Sequence, residues 1–266
     1  MKKMKKMNKR NICLAIALVA ILLLLVCEIF GFSNIIGFKG ELAYSLDMTV
    51  TRFLGGVAFI AMIVNLNYHI IDPLKKPFWS SILYSLPAFV IAINNFPFSQ
   101  IIKGNAILTS GWGAVALLLL ECLCVGFFEE SAFRGVVFLT ILKKDQHNRL
   151  WAFASIAISS AVFGLVHLIN IFESSPVAVL MQIGYSALIG AMCAVILMKT
   201  ANLWLCVLIH GLFNFAGAVI PRCGVGEIWD TFTVILTVVI SLAVLAYMIV
   251  LFVKDEMKAI DGIYAK

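Results

Sequence analysis

Charge is what this sequence has least of. Asp, Glu, Lys and Arg make up 13% of 266 residues, hydrophobic residues make up 62%, and the mean hydropathy is +1.04. Soluble domains carry roughly twice that share of charge, so a soluble globular class is excluded and the chain reads as an integral membrane protein. A long polar stretch is also missing, which leaves no room for a separate soluble domain. The net charge of +6 resides in basic residues at the ends of apolar runs, where it sets orientation and meets anionic lipid headgroups; no nucleic-acid partner is indicated. No internal repeat stands out, which counts against transporters built from inverted repeats. The H-E-x-x-H zinc signature is absent. Seven cysteines are present, six of them inside apolar runs, where they act as small hydrophobes rather than a disulfide framework. Cys122 and Cys124 stand two apart, so on a helix they point to different sides and make a poor metal pair.

What is present is a series of bilayer-length apolar runs. They extend from Asn11 to Ile29, Met48 to Leu66, Phe78 to Ile93, Ile107 to Phe128 or beyond, Leu150 to Phe172, Pro176 to Met198, Leu203 to Ile220, and Trp229 to Val253. About 20 residues cross a bilayer, so the expected fold is all-α, a polytopic membrane helix bundle of about eight helices. The first run follows a basic stretch and resembles a signal peptide. Its length and the lack of a small-x-small site around Cys27 to Phe30 make it a retained first helix instead. Ser175 and Pro176 read as an N-cap and first helical residue, Pro77 as the opening of the third helix, Pro221 as the end of the seventh, and Pro87 as a kink. Gly184, Ala187, Gly190, Ala191 and Ala194 form a small-residue stripe suited to close packing.

Of the twenty Lys and Arg, sixteen fall on one side of this arrangement and three, Lys39, Lys103 and Arg222, on the other, with Arg52 inside a span. The asymmetry puts both termini in the cytoplasm, and the short loops and Lys-rich tail point to a bacterial cell membrane. Residues 1–106 are expected to hold three N-terminal helices, 107–220 a catalytic core of four, and 221–266 the last helix and a cytoplasmic tail, all in one integral domain.

Three spans carry polar groups that lipid makes costly, about 2.5 to 3.5 kcal/mol for a mid-bilayer charge on insertion scales. "EESAFR" holds Glu129, Glu130 and Arg134; "FGLVH" holds Phe163 and His167; "HGLFN" holds His210 and Asn214. Glu130 and Arg134, Phe163 and His167, and His210 and Asn214 are each four apart, hence on one helix face. At 1.5 Å per residue the three clusters can meet in the middle or cytoplasmic half of the membrane. A desolvated carboxylate can take a proton from water, and imidazole or amide N–H groups can hold an oxyanion. Glu129, His167 and His210 could instead hold a divalent metal such as zinc; the two options stay open, although the Glu and His pair suffices without a third strong ligand. Glu121, two turns before Glu129, is expected to pair with Arg52. His69 and His147 are read as solvated.

The three motifs in this order resemble E-E-x-x-x-R, F-x-x-x-H and H-x-x-x-N of the CPBP intramembrane proteases, the type II CAAX prenyl endopeptidase and bacteriocin-processing, Abi-like group. The resemblance implies an intramembrane protease with Glu129 as the catalytic base and His167 orienting or polarising the attacking water. It implies that His210 and Asn214 stabilise the oxyanion, while Glu130 and Arg134 form a supporting pair. The implied substrate is a membrane-associated peptide or protein, lipidated or leader-like, cut from within the lipid. A proton- or ion-coupled transporter and a non-catalytic immunity or scaffold protein of the same fold are the competing readings.

Overall fold

The computed structural model describes residues 9–72, 78–172, 174–254 and 258–264. The basic residues of the first eight positions, Pro77, and Lys75 and Lys76 lie outside the described residues. Eight principal helices follow in chain order: α1 (Lys9–Phe30), α2 (Gly40–Asn65), α3 (Phe78–Asn94), α4 (Trp112–Asp145), α5 (Arg149–Phe172), α6 (Pro176–Thr200), α7 (Leu203–Cys223) and α8 (Thr231–Val253). Among the described residues six are long and apolar enough to span a membrane, while α1 and α3 contribute shorter apolar segments, Ala15–Leu24 and Trp79–Asn94. The chain is an integral membrane protein with a helical bundle fold, as its hydropathy requires.

Local chemistry sets most helix starts. Ser175 Oγ accepts from Ala178 N with Pro176 in the first turn, as expected. Asn148 accepts from Trp151 N before α5, Asn202 from Trp204 N before α7, and Asp230 from Thr233 N before α8. Each cap satisfies one amide that the helix leaves without a partner. Pro221 does not end α7, which runs on to Cys223. A proline in the last turn removes a single backbone donor, and the Gly224 N–H still bonds to Ile220 O.

The two ends of the bundle differ. At one end, Leu203 N bonds to Ile70 O, Trp204 Nε1 to Ile71 O, Arg149 Nη1 to Val253 O and His69 N to Ile263 O. Lys143 lies there over the rings of Tyr68 and Tyr264. His147, exposed as expected, faces Asp261 at 3.4 Å. At the opposite end, strand β1 (Ala106–Leu108) pairs antiparallel with β2 (Gly224–Gly226), matching Ile107 to Val225. Gly226 adopts a φ of +120°, and a Cβ there would stand 2.1 Å from Asn105 O, so this turn requires glycine.

Glycines also set the central contact. A Cβ on Gly126 of α4 would lie 2.9 Å from Val207 O and 3.0 Å from Gly211 N, and one on Gly211 of α7 would lie 3.0 Å from Leu123 Cα. Small residues let two membrane helices approach backbone to backbone. The crossing falls one turn before the glutamates of α4 and immediately after His210 of α7. In the small-residue stripe, Gly190 packs on Arg134 and Phe163, and Ala187 lies against Gly164. A Cβ added at Gly184 would meet nothing within 4 Å, so the stripe packs closely along part of its length only.

Candidate active site

The glutamates sit at the middle of the 34-residue α4. Directly after Glu130 the helix widens into a π-helical run, Ser131–Phe138. Such i→i+5 stretches inside α-helices are frequent at functional sites. Here the run carries Arg134, which is 1% exposed, and brings its Nε to 3.1 Å from Glu130 Oε2. That is the expected supporting pair.

His210 joins both glutamates. Its Nδ1 lies 2.8 Å from Glu130 Oε1 and its Nε2 3.3 Å from Glu129 Oε2. Besides pairing with Arg134, Glu130 also fixes the imidazole that faces Glu129. A carboxylate accepts and does not donate, so His210 Nδ1 donates to Glu130 Oε1. Glu129 differs from its neighbour in access: its side chain is 18% exposed, whereas that of Glu130 is fully buried.

Phe163 is the hub of the aromatic side. The Arg134 guanidinium lies over its face at 4.3 Å, a cation–π contact. Phe133 packs on it at 4.8 Å, and the rings of His167 and His210 meet it edge-on at 5.2 Å and 5.7 Å. His167 is half-buried where α5 tightens into a 3-10 turn. Its Nδ1 lies 3.0 Å from Phe163 O. A carbonyl only accepts, so Nδ1 holds the hydrogen and a neutral ring keeps its Nε2 lone pair free. No hydrogen bond joins His167 to Glu129 among the described residues; Phe163 and His210 connect the two. Asn214, one turn after His210, is half-buried, and no hydrogen bond holds its amide among the described residues.

Glu121 corrects another expectation. Its Oε1 accepts from Arg222 Nη1 at 2.6 Å, so its partner is Arg222 of α7 and not Arg52, whose guanidinium lies over Phe128. Arg222 is held further by Glu41 Oε2 at 3.1 Å and Ser45 Oγ at 2.8 Å. The residues that sequence reasoning missed are Gly126 and Gly211, which bring the motifs together. Both were legible as small residues flanking "FFEES" and following His210.

A zinc-like ion needs ligand atoms that converge with lone pairs free. Glu129, His167 and His210 do not form such a group: both nitrogens of His210 face carboxylates, and the His167 ring is tied to its own helix. The group whose ligand atoms lie within 4.8 Å of one another among the described residues is Glu130, Cys193 and Cys206. Cys206 Sγ donates to Cys193 O at 3.3 Å, and both thiols are fully buried, as expected of cysteines acting as small hydrophobes. The expected metal ligands do not fit a metal in this arrangement, and no step is derived through one.

The polytopic bundle thus brings two carboxylates and two imidazoles from three helices together around Phe163 inside the membrane. Residues 111–216 match the family model described as Type II CAAX prenyl endopeptidase Rce1-like, and the chain carries a domain of that family. The match contains all three motifs, and the family makes the chain a peptidase of the intramembrane kind. Neither the curated proteins nor the solved structures give a match to the chain.

Proposed function

We propose that the chain hydrolyses a peptide bond of a membrane-associated peptide, using water activated by Glu129. The observation that carries this reading is the difference within the glutamate pair. Glu130 is locked between Arg134 and His210, while Glu129 keeps an accessible edge and is steadied from one side by His210 Nε2. A general base needs both features: a fixed position and a face open to the water it deprotonates.

In this mechanism water approaches between Glu129 and the free Nε2 of His167, which accepts one of its hydrogens and orients it. The water oxygen attacks the scissile carbonyl carbon as its other proton passes to Glu129. Once protonated, Glu129 no longer attracts His210 Nε2 across their 3.3 Å contact. The Nε2–H of His210 then turns to the new oxyanion beside the Asn214 amide, and two such donors are the usual complement of an oxyanion hole. Collapse breaks the C–N bond, and Glu129 returns its proton to the leaving amine. Glu130 and Arg134 act by holding His210.

A site at mid-helix depth favours substrates presented from the lipid: a lipidated peptide, a leader peptide or another helix. The end that carries Lys143, Lys144, Arg149, Lys199 and Lys254 faces the cytoplasm in this reading, with both chain termini on that side. The test is comparative peptidomics of membranes carrying wild type or Glu129→Gln at matched levels. Intact substrate peptides should accumulate with Glu129→Gln, and His167→Ala should reproduce the profile. Identical profiles across all three, with folded protein confirmed, would reject the site.

A further inference from the structure

Behind the glutamate pair lies a second polar feature that the proposed mechanism leaves unexplained. Arg134 is 1% exposed, yet none of its Nε, Nη1 and Nη2 atoms makes a hydrogen bond with acceptable geometry to a group of the described residues. Its ion pair with Glu130 is close but poorly aligned, and Glu130 Oε2 is also without a hydrogen-bond partner. On α5, Ser160 Oγ is a further buried atom in the same condition. These atoms cluster. An ideal Cβ on Gly190 would lie 2.7 Å from Arg134 Nη2 and 3.3 Å from Ser160 Oγ, so the two polar atoms are at most about 6 Å apart. No direct hydrogen bond joins them, and a separation within that bound is one that a single water can span with two bonds of about 2.9 Å.

Buried polar atoms without protein partners are the usual signature of internal water, which typically makes about three hydrogen bonds to such groups. A buried guanidinium strengthens the case, because its donors lie in one plane and Phe163 covers a face, not the edge. The edge is directed at acceptors that the protein does not supply.

We propose that Arg134, Ser160 and Glu130 bind internal water beside Gly190, forming a hydrated pocket within the membrane next to the glutamate pair. The ligand is water, bridging Arg134 Nη2 to Ser160 Oγ, with Glu130 Oε2 as an acceptor. Gly190 is required because any side chain there would occupy the approach. If Glu129 is the base of a hydrolysis, as proposed above, this pocket keeps water one residue away from a reaction that consumes it. That role rests on the protease reading; the binding site itself does not.

The test is an experimental structure of the full-length protein at a resolution that shows ordered water, with a parallel bromide soak. Density for water within hydrogen-bond distance of both Arg134 Nη2 and Ser160 Oγ is expected, together with its loss from the Ser160→Ala protein, which should remain folded. A guanidinium bonded directly to protein acceptors with no such density overturns the inference. Bromide anomalous signal at the same place also overturns it, because the ligand would then be an anion. Gly190→Ala should lower the melting temperature in detergent by several degrees, and an unchanged temperature with the water still in place would contradict the assigned role of Gly190. The reaction is tested separately. Ser160→Ala should lower kcat several-fold at constant KM if the water serves hydrolysis. An inactive wild type with the water present would sink the protease reading and leave the water site standing.

Discussion

Two arginines in this bundle each pair with a glutamate of α4, and they are satisfied in opposite ways. Arg222, near the end that carries the two short strands, gives each of its three nitrogens an acceptor: Glu41, Glu121 and Ser45. Arg134, at mid-helix, keeps an ion pair and a ring stack but no well-formed hydrogen bond. The first arrangement ties α2, α4 and α7 together and satisfies the whole guanidinium, leaving only Glu121 Oε2 without a partner. The second leaves capacity for water and sits beside a carboxylate with access to the outside. Polar groups inside a membrane are costly in either place; how fully the guanidinium is hydrogen-bonded separates the tie from the site.

The largest expected effect breaks the comparison at the carboxylates. Glu129→Gln should lower peptidase activity by roughly 10² to 10⁴, the range of general acid–base contributions, with little change in melting temperature. Glu121→Gln should do the reverse, leaving kcat near wild type and lowering stability. If both lose activity equally, the distinction between tie and site fails. Next in size is Arg222→Ala, which strands Glu121 in a buried position. Breaking a buried pair costs about 3–5 kcal/mol, and the partial exposure of Arg222 puts its cost at the low end. Its reading is a drop in the detergent melting temperature, with activity per folded molecule retained.

Much of this was legible in the sequence for a simple reason. Lipid demands unbroken apolar helices, so run length alone locates the spans, and an ionisable residue inside a run announces itself. The three motifs needed nothing more. What was hidden depends on contacts between distant segments. Glu121 pairs with Arg222, 101 residues away, whereas the expected partner was Arg52 inside the second span. The dual role of His210 follows from how closely α4 and α7 cross at Gly126 and Gly211, and no spacing within either motif encodes a crossing distance. The π-helical run after Glu130 is equally silent in sequence, because Ser131 to Phe138 is compatible with an ordinary α-helix. The persistence of α7 past Pro221 shows the converse: a local rule yielded because the helix was ending within a turn.

The glycine crossing comes next in size. Gly126→Ala would press a methyl to about 3 Å from the backbone of Val207 and Gly211, and such overpacking typically costs about 1–3 kcal/mol. Because the same contact sets the approach of His210 to Glu129, the variant should lose activity as well as stability. A stability loss with unchanged kcat would detach the crossing from the site.

The smallest effect belongs to Asp230, half-buried at the start of α8. Lys103, and after it the hydroxyl and backbone N–H of Thr233, hold its carboxyl well below the usual carboxylate range. A depressed folded-state pKa contributes stability that is fully present above the unfolded value, near 3.8, and is lost only as pH falls through the folded one. The Asp230→Asn protein, which keeps a capping oxygen but loses the charge, should therefore be slightly less stable than wild type at pH 7. The gap should persist down to about pH 4 and close only in stronger acid. Melting curves of the two proteins between pH 7 and pH 2 in high and low salt measure it. Surface pairs are screened, so high salt should shrink the gap at neutral pH, and a gap indifferent to salt would mean that the cap rather than Lys103 sets the effect.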